Sequence, residues 1–235
     1  MATHYCSKDD VSAFLQVSNF TGDTTPNTDA VEAFINMAEE RIDQLTDHAW
    51  HTSRAKAVTE ERGRIQRVTT NSVNDRGRIQ LRHYPILDMD NGTDKLHIWD
   101  GGNYVEYIAG KTGDDTITNI TGKDYWIDKE RGTIYLNSYN QFNLLSDAPS
   151  GVTAYVTYRY ATATTPADIK QATIYFASAM IAMNDDLNLM QEGDDSMDNR
   201  SKSEKFEEMA MKLLKDGRRL GRTMPTARAI GGFGA

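Results

Sequence analysis

The sequence predicts an α+β chain: a bundle of about four helices, interrupted by a long antiparallel β insertion and followed by an extended C-terminal tail. Three observations carry this. Apolar residues recur every three to four positions both before residue 53 and after residue 165. Between these zones, short runs rich in Val, Ile, Tyr and Thr alternate and are punctuated by Gly, Asn and Asp. After Gly221 all periodicity stops. The boundaries read as 1–53 for the first helices, 54–160 for the β region, 161–221 for the last helices and 222–235 for a basic tail.

Taken in order, Lys8 to Val17 is a short helix with Val11, Phe14 and Leu15 on one side. Asn19 to Thr28 is a loop containing Thr, Gly and Pro. Asp29 to Trp50 sets Val31, Phe34, Ile35, Ala38, Ile42, Leu45 and Ala49 on one stripe, with Asp29 and Glu32 as its start signal. Glu39, Asp43 and Asp47 lie one turn apart on this helix and read as its solvated face, not as an acid–base pair.

Strands are expected at Gly63–Val68, Arg78–Arg82, Lys95–Trp99, Asn103–Ala109, Tyr125–Asp128, Thr133–Asn137 and Val152–Tyr160. The stretch KDYWIDKERGTIYLN (Lys123 to Asn137) alternates, breaks at Asp128 and resumes after Gly132, as a hairpin with a charged tip does. The pentapeptide RGRIQ occurs twice, at Arg62–Gln66 and Arg76–Gln80, and reads as two equivalent strand starts of one hairpin; two copies are too few for a repeat architecture.

Thr165, Pro166 and Asp168 open the next helix as N-cap, N1 and N3. Its stripe is Ile169, Ala172, Phe176, Ala179, Met180, Met183, Leu187 and Met190, and Ile174, Tyr175 and Ile181 extend the apolar surface around much of the circumference. Such a helix must be enclosed by other helices or by other subunits, and Phe176, Met180, Met183 and Leu187 are the candidate subunit-interface residues. Asn184 to Asp198 carries six acids and no base. Ser201 and Glu204 form a capping box for a helix with Phe206, Met209, Leu213 and Leu214 on its apolar side. The remainder, GRTMPTARAIGGFGA, cannot bury a core and is expected to be unstructured alone in solution.

Composition bounds the function. With 39% hydrophobic residues and only 17 Gly and 5 Pro in 235, the chain should fold. A net charge of −8 argues against a surface that grips nucleic acid throughout. Asp outnumbers Glu 23 to 11 and Arg outnumbers Lys 15 to 11, a balance suited to high salt and consistent with a haloarchaeal setting. The lone Cys6 excludes an internal disulfide, no secretory h-region opens the chain, and the apolar run from Ile174 to Met183 is too short to span a bilayer. A soluble protein of a reducing compartment is expected.

No catalytic motif is present: no GxSxG, P-loop, HExxH or CxxC. Asp47, His48 and His51 cluster at a helix end, where His suits the dipole better than it makes a metal site. His4 and Cys6 are a weaker pair near a terminus expected to be mobile. Asp114-Asp115 and Asp194-Asp195 lack EF-hand spacing. No enzyme activity, cofactor or metal is expected. The sharp asymmetry is electrostatic: Lys212 to Ala235 holds six basic residues and one acid. A basic tail of this kind orders on nucleic acid or on an acidic protein groove.

The order of elements and a series of residues along it carry a resemblance. The series is YPI at Tyr84–Ile86, KDYWID at Lys123–Asp128, GTIYL at Gly132–Leu136, VTYRY at Val156–Tyr160 and TPADIKQA at Thr165–Ala172. Together, over about residues 30–220, these resemble the head-to-tail connector (adaptor) proteins of tailed phages and tailed archaeal viruses. Members often carry Gly before the last Tyr of the strand, where this chain has Arg159 and Tyr160. The β region is also long for the compact members.

The resemblance implies a structural virion protein in the neck, assembled in the host cytoplasm. Copies would form a ring, usually of twelve, beneath the portal. Genomic DNA would pass through without sequence-specific binding, and a tail-completion or stopper protein would meet the lower face. It further implies that the tail docks on the portal, through Arg218, Arg219, Arg222, Arg228, Ile230 and Phe233. Two other classes compete: a DNA-binding accessory protein using the Arg-rich tail, and a capsid decoration or receptor-binding β module. The first expects salt-sensitive DNA binding lost with the tail; the second expects residues 54–160 to fold alone.

Overall fold

The structure, a computed structural model, describes residues 4–68, 76–114, 122–137, 148, 151–183 and 199–220. It is α+β and divides into two compact units: Met1–Ser53 with Ala163–Ala235, and Arg54–Thr162.

The first unit is helical. Helix α1 spans Lys8–Leu15, opened by a capping box in which Ser7 and Asp10 bond each other's backbone. Helix α2 spans Thr28–Thr46; its cap is Asn27, whose side chain accepts from Ala30 N–H, two residues before the sequence-based start at Asp29. It stops at Asp47, which is left-handed at φ 48°, short of the expected end at Trp50. Helix α4 (Ala167–Met183) and helix α5 (Asn199–Asp216) complete the bundle. Helix α5 already runs from Asn199, so Ser201, expected to open it, lies inside the helix.

Val31, Ile35, Ala38 and Ile42 of α2 meet Ile169, Ala172, Phe176, Ala177 and Ile181 of α4 and Ala210 and Leu214 of α5 in one core. The apolar circumference of α4 is thus largely enclosed by helices of its own chain. Met209, expected on the core side of α5, is 41% exposed.

The second unit holds two sheets over a single core. One has strand order β1 (Lys56–Gly63), β9 (Ala154–Tyr160), β4 (Lys95–Trp99), β5 (Tyr104–Glu106). The other runs β2 (Gln66–Val68), β3 (Arg76–Gln80), β8 (Thr133–Leu136), β7 (Tyr125–Asp128), β6 (Gly113–Asp114). All described pairings are antiparallel except the short β6–β7 pair. The alternation along β9 puts Ala154, Val156, Tyr158 and Tyr160 inside, against Leu96, Ile98, Ile79, Ile127, Ile134 and Leu136. The segment after β5 is a single helical turn, α3 (Tyr107–Gly110), where a longer strand was expected.

The two RGRIQ copies are not equivalent. The second is the whole of β3, whereas the first ends β1, crosses between the sheets at Arg64-Ile65 and begins β2. Ile65 and Ile79 nevertheless enter the same core. Strand β1 was not expected from the sequence. It is an edge strand with a bulge between Val58 and Glu61, so its charged residues do not alternate with the pleat.

Candidate interaction surfaces and their anchors

In the helical unit the polar residues converge on Trp50. Its backbone N–H donates to the Tyr5 hydroxyl at 2.9 Å, its indole N–H to Thr46 Oγ1 at 2.9 Å, and its carbonyl accepts from Thr165 Oγ1 at 3.0 Å. The Arg219 guanidinium lies over its ring at 4.7 Å, and His48 meets it edge-on. One residue, through its backbone and its ring, therefore ties the N-terminal segment, the end of α2, the start of α4 and the end of α5.

Glu39 and Asp43, expected on the wet face of α2, are 0% and 6% exposed. The reason is the segment before α1. Glu39 Oε1 accepts the backbone N–H groups of His4 and Tyr5, each at 2.7 Å, and the Tyr5 hydroxyl bonds the Asp43 carboxylate. The buried carboxylates satisfy donors that would otherwise be lost from water. The same docking buries Cys6, whose thiol is pushed up to about 12 by burial and then by the nearby Glu39 charge. His4 stacks on His51 with centroids 5.3 Å apart, so this terminal segment is bound down where mobility was expected. Among the described residues no group of His, Cys, Asp or Glu is arranged to hold a metal.

The root of the C-terminal tail is built in detail. Helix α5 ends with Arg218 left-handed at φ 52°; Arg218 N–H bonds Lys215 O at 3.0 Å and Arg219 N–H bonds Leu214 O at 2.8 Å. The turn sends the two arginines apart. Arg218 is exposed, while Arg219 Nε donates to Asp168 Oδ2 at 2.9 Å. Gly217 makes room, since a Cβ there would sit 2.9 Å from the same Asp168 oxygen. Leu220 then packs on the core.

Of the residues expected to meet a portal, Arg219 is thus engaged within the chain and Arg218 faces solvent. Arg222, Arg228, Ile230 and Phe233 lie outside the described residues. Of the expected subunit-interface residues, Phe176 is fully buried in its own chain beneath the Arg41 guanidinium, 4.5 Å from the ring, so it is a core residue. Met180 is half-buried, Met183 is 64% exposed, and Leu187 lies outside the described residues. Met37, on α2, is the other strongly exposed methionine at 54%. Arg41 also forms a two-pronged pair with Glu207 at 2.8 and 3.1 Å and holds its carboxyl below the ordinary value of 4.5.

In the β unit, Glu61 turns inward at the bulge. It accepts from the Tyr158 hydroxyl at 2.5 Å and from Arg82 N–H at 3.0 Å. Burial, and then the bond to Glu61, push the Tyr158 phenol well above its ordinary value, so it remains a donor. Arg159 clasps the 88–94 loop: its Nη2 reaches Asp90 at 2.8 Å, Asp94 at 2.9 Å and the Asp88 carbonyl at 3.2 Å. The tip of the β7–β8 hairpin is held by Ile86 N–H to Lys129 O at 3.0 Å and Leu81 N–H to Gly132 O at 2.8 Å. On the outward side of the first sheet, Tyr104 contacts both Trp99 and Tyr155, with Arg62 over Tyr155 at 5.7 Å.

No protein-family model matches the chain, and no curated protein matches it. Among solved structures, the chain is similar to the neck of an empty GTA particle computed with C6 symmetry, at 15% identity and TM-score 0.39, covering 84% of this chain and 87% of that one. Among the described residues no helix is long and apolar enough to cross a membrane.

Proposed function

We propose that the chain is a structural protein of a tailed virion, a head-to-tail adaptor whose copies form a ring beneath a portal and around the DNA path. The observation that carries this is the tail and its root. Six basic residues against one acid lie between Lys212 and Ala235, in a chain of net charge −8; they begin in the last turns of α5 and continue past its end, which Arg219 anchors to Asp168. Such a segment is built to order on a partner, while an acidic body lets DNA slide instead of sticking.

The residue series that resembles the connectors supports the same reading, because it falls at joints of the fold. Pro85 accepts from Ala161 N–H at 3.1 Å, Gly132 turns the hairpin, and Val156–Tyr160 lies in a central strand. The role is assembly, not catalysis, and needs no cofactor. The ring has twelve copies in this reading, the portal above and a stopper protein below.

The test is co-purification of the chain, and of a version ending at Gly221, with the cognate portal in low and molar-range salt, followed by electron-microscopy class averages. A ring on the portal that is lost with the tail is the expected result. A monomer indifferent to portal would overturn the reading. The separate core of Arg54–Thr162 makes an independent β module the next reading, which expects that unit to bind capsid or saccharide without the helices.

A further inference from the structure

The two adjacent arginines at the end of α5 have opposite surroundings, and this separates two roles that their sequence position would merge. We propose that Arg219 is a positioning residue. It clamps the root of the C-terminal tail to the Trp50 hub, so that the chain after Leu220 leaves the helical unit from one fixed point, with Arg218 turned outward as the first contact residue.

Four observations converge. Arg219 is both paired with Asp168 at 2.9 Å and stacked over Trp50 at 4.7 Å, the combined geometry for which a planar guanidinium is suited and an ammonium is not. Trp50 is itself fixed by Tyr5, Thr46 and Thr165, so the clamp closes on a rigid body. Gly217 is the residue that permits Asp168 to approach the helix end. Arg218 accepts a left-handed conformation, at φ 52°, that Gly would adopt without cost. A helix stop needing only a turn would place Gly there; a side chain kept at that cost and pointed at solvent is one whose charge is used outside the chain.

The consequence for binding is pre-organisation. A tail whose first residues are already held loses less conformational freedom on docking. This part of the inference rests on the proposed portal-binding role; the clamp itself does not.

The experiment therefore has two readings. A spin label on Gly221→Cys, with buried Cys6 left in place, reports motion at the root, and one on Gly234→Cys reports the far end. In the otherwise native chain the root label is expected to be restrained. Arg219→Ala frees it, Arg219→Lys gives an intermediate spectrum, and the Gly234 label is unchanged throughout. Circular dichroism verifies that each variant is folded, and Asp168→Asn replaces Arg219→Ala where the latter unfolds. Equal root motion with and without the Arg219 side chain would overturn the clamp.

Portal affinity is then measured on the unlabelled variants. Arg219→Ala should bind about tenfold more weakly, the effect of re-ordering one or two residues, and Arg219→Lys should fall between. An unchanged affinity would overturn the pre-organisation. If the native chain does not bind portal at all, the adaptor reading falls and the label spectra still decide the clamp.

Discussion

Glu61 is the residue on which the β unit's polar interior turns. Its carboxylate faces the core and is satisfied by Tyr158 and by the backbone after β3. Tyr158→Phe removes a donor from a buried carboxylate and should lower stability by about 1–3 kcal/mol, read from the denaturant midpoint at constant m-value. Cys6 should resist thiol reagents at neutral pH until the chain is unfolded, because burial shields its thiol and pushes it up to about 12. The Arg41–Glu207 pair makes a pH-dependent contribution. Its folded carboxyl lies below 4.5, so the stabilisation is complete above that value and is lost as pH falls through the lower folded value. Both side chains are more than a third exposed, which limits the effect to about 0.5 kcal/mol. Glu207→Gln should differ from the native chain by that amount at pH 7 and not at all at pH 2. The sequence hid Glu39 and Asp43. Carboxylates one turn apart look like a solvated face, and nothing local reveals that residues 4 and 5, far earlier in the chain, bring N–H groups to them.

At the scale of elements, the apolar stripe of α2 and the strand β4 were legible because each has one period and one buried face, whereas α4 and β7, buried on more than one side, were legible as apolar runs bounded by a turn or a charge. Strand β1 was not, since its bulge breaks the alternation and its edge position favours charge. The paired RGRIQ segments show the same limit: identical residues become a strand in one place and a crossing in the other, according to what pairs with them. Two turns make predictions. Gly132 is at φ 59°, and a Cβ there would lie 2.9 Å from Tyr84 Cβ, so Gly132→Ala should destabilise by about 1–3 kcal/mol in thermal melts. Arg218→Gly should do the opposite and stabilise by about 1 kcal/mol, by relieving a left-handed arginine, while weakening any partner that uses its charge. The root of the tail was only partly readable: the charge excess is visible in the sequence, but the division of labour between Arg218 and Arg219 depends on Asp168, about fifty residues away.

For the whole molecule, each unit has its own apolar cluster, so Arg54–Thr162 expressed alone should give a cooperative unfolding transition. A broad, non-cooperative melt of that fragment would mean that it depends on the helices. The fold class was legible from the exchange of one periodicity for another and back again.

The helical unit is made from both sides of the β insertion. Its core closes only when α4 and α5 join α2, across more than a hundred intervening residues. During translation, α1 and α2 emerge first with their apolar faces unpartnered, and the β unit can complete itself while they wait. A ribosome that stops before Ala163 therefore releases a chain with a finished β unit and no helical core. A product lacking the last helices cannot build the helical core and has no anchored root at the end of α5.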